Sequence, residues 1–264
     1  MLGMFCNLWQ YRQFVCSSIK NELISRFARS KLGGLWMIIN PLAQVVIYAL
    51  ILSNVLAAKL PGINNKYAYA IYLMAGLLAW NLLSEIVGRC LNLFIEQGNL
   101  MKKMRFPRIA LPAIVVGSNL ISNALLFFAM LGIFLVLGHN FFSTMFWLLP
   151  LTLMLAGFAL GIGLILGILN VFLRDLGQVV PIVLQIWFWF TPIVYPAHII
   201  PESYRFWLNL NPVYHFTKAY QNIIVYGHSP EIDGLMIISA LSLLLLLLSL
   251  FLFRRASEEM VDVL

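Results

Sequence analysis

Charge is what this sequence has least of. Of 264 residues, 10% are Asp, Glu, Lys or Arg and 62% are hydrophobic, where a soluble domain carries roughly 25% charge. A water-soluble chain of this size would need far more polar surface to cover its core. That scarcity excludes an ordinary soluble fold and makes the bilayer the solvent. Catalytic and nucleotide-binding signatures are missing as well. No G-x-x-x-x-G-K-[ST] loop occurs, so ATP is not bound in that way by this chain, and no G-x-S-x-G, H-E-x-x-H or C-x-x-C pattern is found. The three cysteines, Cys6, Cys16 and Cys90, follow no ligand spacing and read as unpaired thiols. The histidines His139, His198, His215 and His228 fall in segments expected to be outer loops, away from carboxylates. No catalytic residue and no metal site is expected. The first thirty residues lack a short apolar core followed by a small-residue cleavage site, so no cleaved signal peptide is expected.

What is present is a series of charge-free runs long enough to cross about 30 Å of hydrocarbon, roughly 20 helical residues each. They lie at about 32–58, 67–94, 109–137, 141–173, 176–195 and 234–253. The third and fourth share one uncharged stretch that breaks at Gly138-His139-Asn140, and the fifth is stopped by Pro192 and Pro196. The expected fold is therefore an all-α membrane protein with six transmembrane helices. With the N-terminus inside, thirteen of the 17 Lys and Arg residues fall on the cytoplasmic side and four (Lys59, Lys66, Arg205, Lys218) outside. This imbalance places both termini in the cytoplasm. The net charge of +7 has the same cause, and no nucleic-acid partner is inferred.

Two segments are neither plain spans nor plain loops. Within 8–31, Tyr11, Val15, Ile19, Leu23 and Phe27 recur every four residues between polar ones, the pattern of an amphipathic helix at the inner interface. It could serve as a simple anchor or as a contact for a cytoplasmic partner. The outer segment 197–233 is too apolar for a solvated loop, and Pro201 and Pro212 cut it into pieces too short to cross. Broken helices at membrane depth survive only when packed on protein or lining a cavity. A re-entrant helical hairpin forming an outer gate between spans five and six is the preferred reading over an interfacial lid. No repeat or second domain is visible, and residues 1–264 read as one transmembrane domain.

An ion-coupled carrier shows isolated ionisable groups deep in its spans. Here Glu85 and Arg89 come nearest, and their i, i+4 spacing invites a mutual salt bridge. The chain has no visible energy source of its own. Ser118, Asn119, Ser122 and Asn123 read as helix packing, and Gly157, Gly161, Gly163 and Gly167 as close helix contact.

Several motifs resemble the permease (transmembrane) subunits of polysaccharide ABC exporters, the O-antigen and teichoic acid type within the type-2 ABC transporters. Arg26 to Trp36 followed by Asn40-Pro41-Leu42 looks like their entry to span one, and Phe106-Pro107-Arg108 with Leu111-Pro112 like their second inner loop. The most specific stretch runs from Asn170 through Arg174, Asp175 and Gln178 to Thr191-Pro192-Ile193-Val194-Tyr195-Pro196, with Asn211-Pro212 after it. The resemblance covers nearly the whole chain. It implies a homodimer with a pore on its two-fold axis, working with two copies of a separate ABC ATPase subunit in a bacterial cytoplasmic (inner) membrane. Its implied cargo is polysaccharide on undecaprenyl diphosphate, lipopolysaccharide O antigen foremost, with teichoic acid or capsule as the alternative. A drug or lipid exporter ranks below these, as does an intramembrane polyprenyl-lipid enzyme, whose paired carboxylates or histidines do not converge here. The chain itself would hold no cofactor; ATP and Mg would sit on the partner.

Under that resemblance, aromatic faces suit a sugar polymer because they offer area without a rigid hydrogen-bond register. Trp187 and Phe190, with Tyr195 at the mouth, form one candidate path, Trp189 an alternative, and lipid-facing rings the plainer reading. Asn40, Gln44 and Tyr48 make a polar stripe on span one that lines a pore or bonds a neighbouring helix. Glu96, Lys102, Lys103, Arg105 and Phe106 lie in the short basic loop that would dock into the ATPase, unless the charges there only set topology. Asp175 suits a helix N-terminus.

Overall fold

The computed structural model describes residues 9–27, 35–36, 39, 43, 68–103, 107–136, 144–256 and 259–260. Nearly all of the first expected span lies outside these residues, as do Asn40, Gln44, Tyr48, Arg105 and Phe106. Every regular element among the described residues is helical. Four helices are long and apolar enough to cross a membrane: Ala68–Glu96, Ala110–Gly132, Met145–Phe172 and Gly234–Ala256. They match expected spans two, three, four and six.

The elements in chain order are α1 (Arg12–Phe27), α2 (Ala68–Glu96), α3 (Gly98–Lys103), α4 (Ala110–Val136), α5 (Leu148–Phe172), α6 (Leu176–Phe190), α7 (Arg205–Leu210), α8 (Pro212–Gln221) and α9 (Ile232–Ala256). A single 3₁₀ turn, Met145–Trp147, leads into α5. Short 3₁₀ turns at Ala197–Ile199 and Glu202–Tyr204 precede α7, and a π turn at Asn222–Tyr226 follows α8. That π turn closes on Gly227, whose φ of 63° is one that glycine adopts without a Cβ penalty.

Helix α2 is the centre of the bundle. Its most apolar stretch is 78% buried, against 22% for α9, which therefore lies at the periphery. Helix α5 runs along α2, α9 packs on α5, and α4 and α8 pack on α2. Lipid tails are as apolar as leucine, so apolar burial alone cannot hold such helices together; close approach and interhelical hydrogen bonds do. Glycines supply the close approach. A Cβ on Gly163 would sit 2.8 Å from Cys90 Cβ, and one on Gly161 would sit 2.9 Å from the carbonyl carbon of Leu245. Asn123 supplies a bond across helices, donating to the Leu78 carbonyl at 2.9 Å. Ser122 bonds back to the Ser118 carbonyl at 3.0 Å. Ser122 and Asn123 of α4 thus act in packing, while the buried Asn119 amide meets no hydrogen-bond partner among the described residues.

Helix α6 is shorter than the expected 176–195. It stops at Phe190, and Thr191 is extended, with φ −105° and ψ 129°. The cause is local: the ring of Pro192 disfavours helical geometry in the residue before it. Fifteen residues rise about 22 Å, short of the roughly 30 Å hydrocarbon thickness.

Candidate functional site

Beyond α6, the segment Thr191–Pro196 is buried and bonded on both sides. The Tyr69 hydroxyl donates to the Val194 carbonyl. The Pro192 carbonyl accepts from the Tyr72 hydroxyl and from Gln221 Nε2, each at 3.2 Å. Gly76 leaves the space into which Ile193 packs: a Cβ there would lie 3.0 Å from Ile193 Cγ2. A non-helical backbone in an apolar bundle must find such partners, since each unpaired carbonyl costs several kcal/mol.

The return of the chain is fixed by Asn211. As N-cap of α8, its side-chain oxygen accepts from the Val213 amide at 3.1 Å, while Pro212 occupies the first helical position, where no donor is needed. The same oxygen accepts the Trp187 indole N–H at 2.9 Å, and Asn211 Nδ2 donates to Thr191 Oγ1 at 3.0 Å. One amide therefore joins α6, the turn after it and α8.

These contacts shape a cleft of about 580 Å³ whose aromatic walls are Trp187, Phe190, Tyr195, Tyr204 and Trp207. Among the described residues, no charged side chain lines it. Three of the rings expected on a transport path, Trp187, Phe190 and Tyr195, are brought together here. Tyr195 is held by donating its hydroxyl to the Trp189 carbonyl at 2.7 Å. Trp189 itself does not line the cleft; the residue is 53% exposed, and its ring meets Phe188 edge-on at 5.5 Å. Tyr204, Trp207 and Asn211 were not singled out from sequence as members of the site. Asn211-Pro212 carries a helix-start signal that could have marked the last of them. Flat rings with few competing polar groups can hold apolar sugar faces weakly and release them.

The remaining expected residues are dispersed. Arg174 and Asp175 are exposed in the turn between α5 and α6, and Gln178 is exposed on the first turn of α6. Asp175 precedes α6 but makes no side-chain cap bond. Pro192 belongs to the bonded turn described above. Glu96 is exposed at the end of α2, Lys102 is exposed on α3, and Lys103 ends that helix.

Toward the Glu96 end of α2, away from the aromatic cleft, α1 meets the bundle. Val15 is buried, and Ile19 packs onto Gly117 of α4, where a side chain would collide with it. The spacing of Glu85 and Arg89 invited a pair within α2, but the carboxylate that Arg89 meets is Glu22 of α1, with Ser118 Oγ accepting from the same guanidinium at 2.7 Å. Beside this junction lies a cavity of about 540 Å³, walled by Phe14 and Ser18 of α1 and by Asn92, Glu96 and Gln97 among others.

Residues 13–225 match the family described as "ABC-2 type transporter". The chain is 32% identical to the O-antigen export system permease protein RfbA of Myxococcus xanthus over 268 residues, covering 99% of each chain. It is 28% identical to a protein of the same name from Klebsiella pneumoniae, covering 78% of each. Identity to the polysialic acid transport protein KpsM of Escherichia coli is also 28%, covering 91% of this chain and 92% of that one.

Proposed function

The chain belongs to the ABC-2 type transporter family, and we propose from this premise that it is the transmembrane subunit of an ATP-driven polysaccharide exporter. Its cargo is polymer carried on undecaprenyl diphosphate, with lipopolysaccharide O antigen the first choice. The observation that carries this reading is the uncharged, aromatic-walled cleft at the end of α6. The near full-length similarity to an O-antigen export permease supports it. A capsular polymer is the second reading, favoured by the similarity to a polysialic acid transport protein. An uncharged cleft suits it less, because it gives a polyanion no counter-charge.

In this reading the chain crosses a bacterial inner membrane six times with both termini in the cytoplasm, and α1 lies on the inner surface. The segment from 197 to 233 is a re-entrant outer gate. The burial of Val213, Phe216 and Tyr220 against the bundle, with Phe206 and Trp207 exposed, supports that placement. Two copies assemble around a pore. Helix α6 turns Gln178 and Gln185 outward among Val179, Ile182, Val183 and Ile186, and amides facing lipid are costly; a pore or a second copy relieves them. Asn40, Gln44 and Tyr48 add polar lining, and Trp187, Phe190 and Tyr195 form the exit. Two ABC ATPase subunits hold ATP and Mg. They engage the loop from Glu96 to Arg108, with Lys102, Lys103, Arg105 and Phe106 as the contacts.

The test is reconstitution. The chain with its ATPase subunit in liposomes should move lipid-linked polysaccharide across the bilayer when ATP is supplied, and not with a non-hydrolysable analogue. ATP-independent movement, or none with an active ATPase, would overturn the reading.

A further inference from the structure

We infer that Glu22 and Arg89 form the mechanical link through which α1 moves the membrane-embedded helices during transport, acting as positioning residues rather than as a topology signal. The inference rests on the exporter reading above and adds the residues through which α1 acts.

Three elements converge on one point. The Glu22 carboxylate comes from α1, the Arg89 guanidinium from the last third of α2, and Ser118 from the first third of α4. Arg89 donates to both Glu22 and Ser118. Ser118 in turn donates to the Val115 carbonyl of its own helix at 3.1 Å, which fixes its orientation. The side chains of Arg89 and Glu22 are 27% and 23% exposed, so the pair is largely withdrawn from water. Pulling α1 away would take the Glu22 carboxylate from a guanidinium only partly open to water, leaving it Ser118 and the polar cavity wall of Asn92 and Glu96. An ion withdrawn from water that loses its direct partner is destabilised. The junction therefore resists separation and passes on displacement.

The surroundings of the pair show why displacement would pass through this point. Ile19 seats on Gly117 one residue from Ser118, so an apolar contact and an ionic one share a single spot on α4. Alongside, Phe14, Ser18 and Glu22, one face of α1 at four-residue spacing, line the cavity of about 540 Å³, whose far wall includes Arg89, Asn92 and Glu96 of α2. Helix α1 packs along α4 and borders open space on its other side, which leaves it room to shift while the pair holds it to α2 and α4. The same cavity reaches Glu96 and Gln97 at the start of the loop assigned to the ATPase contact. Motion at α1 and motion at that loop thus meet around the Glu22–Arg89 pair.

The experiment uses the full complex with its ATPase subunit in proteoliposomes and reads two quantities: ATP hydrolysed, and polymer exported per ATP. Glu22→Lys and Arg89→Glu are made singly and together, with Glu22→Gln as a milder change that keeps the shape. Each single reversal should leave hydrolysis within about 2-fold of wild type and lower export per ATP by about 10-fold or more, the scale on which 1.4 kcal/mol counts. The double reversal should recover export to within about 3-fold, and Glu22→Gln should fall between. Wild-type export per ATP in the single reversals, or no recovery in a double variant that inserts and binds the ATPase normally, overturns the inference. If a single reversal fails to insert, Glu22→Gln decides: export per ATP equal to wild type overturns the inference, and a loss supports it. A wild-type complex that hydrolyses ATP but exports nothing would instead overturn the exporter reading itself.

Discussion

Asn211 does three jobs with one side chain: it caps α8, accepts the Trp187 indole and donates to Thr191. Removing a cap costs about 1 kcal/mol, and an indole N–H left unpaired in a partly buried site costs about 1–3 kcal/mol. Asn211→Ala should therefore lower the thermal unfolding midpoint of the detergent-solubilised protein and shift its tryptophan fluorescence, whereas Asn211→Ser, which keeps a cap, should lose less. An unchanged midpoint for Asn211→Ala would show that the amide is not what joins α6 to α8. Half of this residue's role was legible in the sequence, since Asn followed by Pro marks a helix start. The other half was not, because Trp187 is 24 positions away and no local pattern reports such a contact. Arg89 repeats the lesson. Spacing exposes only neighbours on the same helix, so it pointed to Glu85, while the charge Arg89 meets is Glu22, 67 residues earlier.

At the scale of elements, span length and uncharged runs were enough to locate α2, α4, α5 and α9. Proline placement likewise located the breaks after α6 and before α8. The 3₁₀ entry to α5 and the early end of α6 were less visible, because an apolar run shows how far lipid can extend but not where the backbone stops being helical. The glycines of α5 were read as contact positions, and their partners, Cys90 on one side and Leu245 on the other, emerge only from packing. Gly161→Leu should force α9 away from α5, since the added carbons meet backbone that cannot swing aside; overpacking of this kind costs about 1–3 kcal/mol. Gly157→Ala should be tolerated, because its Cβ would meet only the flexible end of Leu246 at 3.3 Å. Thermal unfolding of the two variants checks this, and equal midpoints would mean that the α5–α9 contact is not close-packed in solution.

For the whole molecule, the chemistry that is missing directed the reading as much as the chemistry that is present. Among the described residues, the cleft walls are aromatic and uncharged, which suits weak contact with a moving polymer; in the proposed function the work comes from the ATPase subunit. The aromatic content of span five pointed toward the cleft, but which rings share it depended on α7 and α8 folding back over α6, and that is a property of the assembled chain. Phe190 and Trp207 offer the most direct test of the claim that polymer passes along these rings. They are 70% and 68% exposed, so truncating them leaves the core intact. With two stacking faces lost at about 0.5–1.5 kcal/mol each, the reconstituted Phe190→Ala/Trp207→Ala complex should export polymer about 10-fold more slowly, with normal insertion and ATPase binding. Export at the wild-type rate by an equal amount of the double variant would contradict the account.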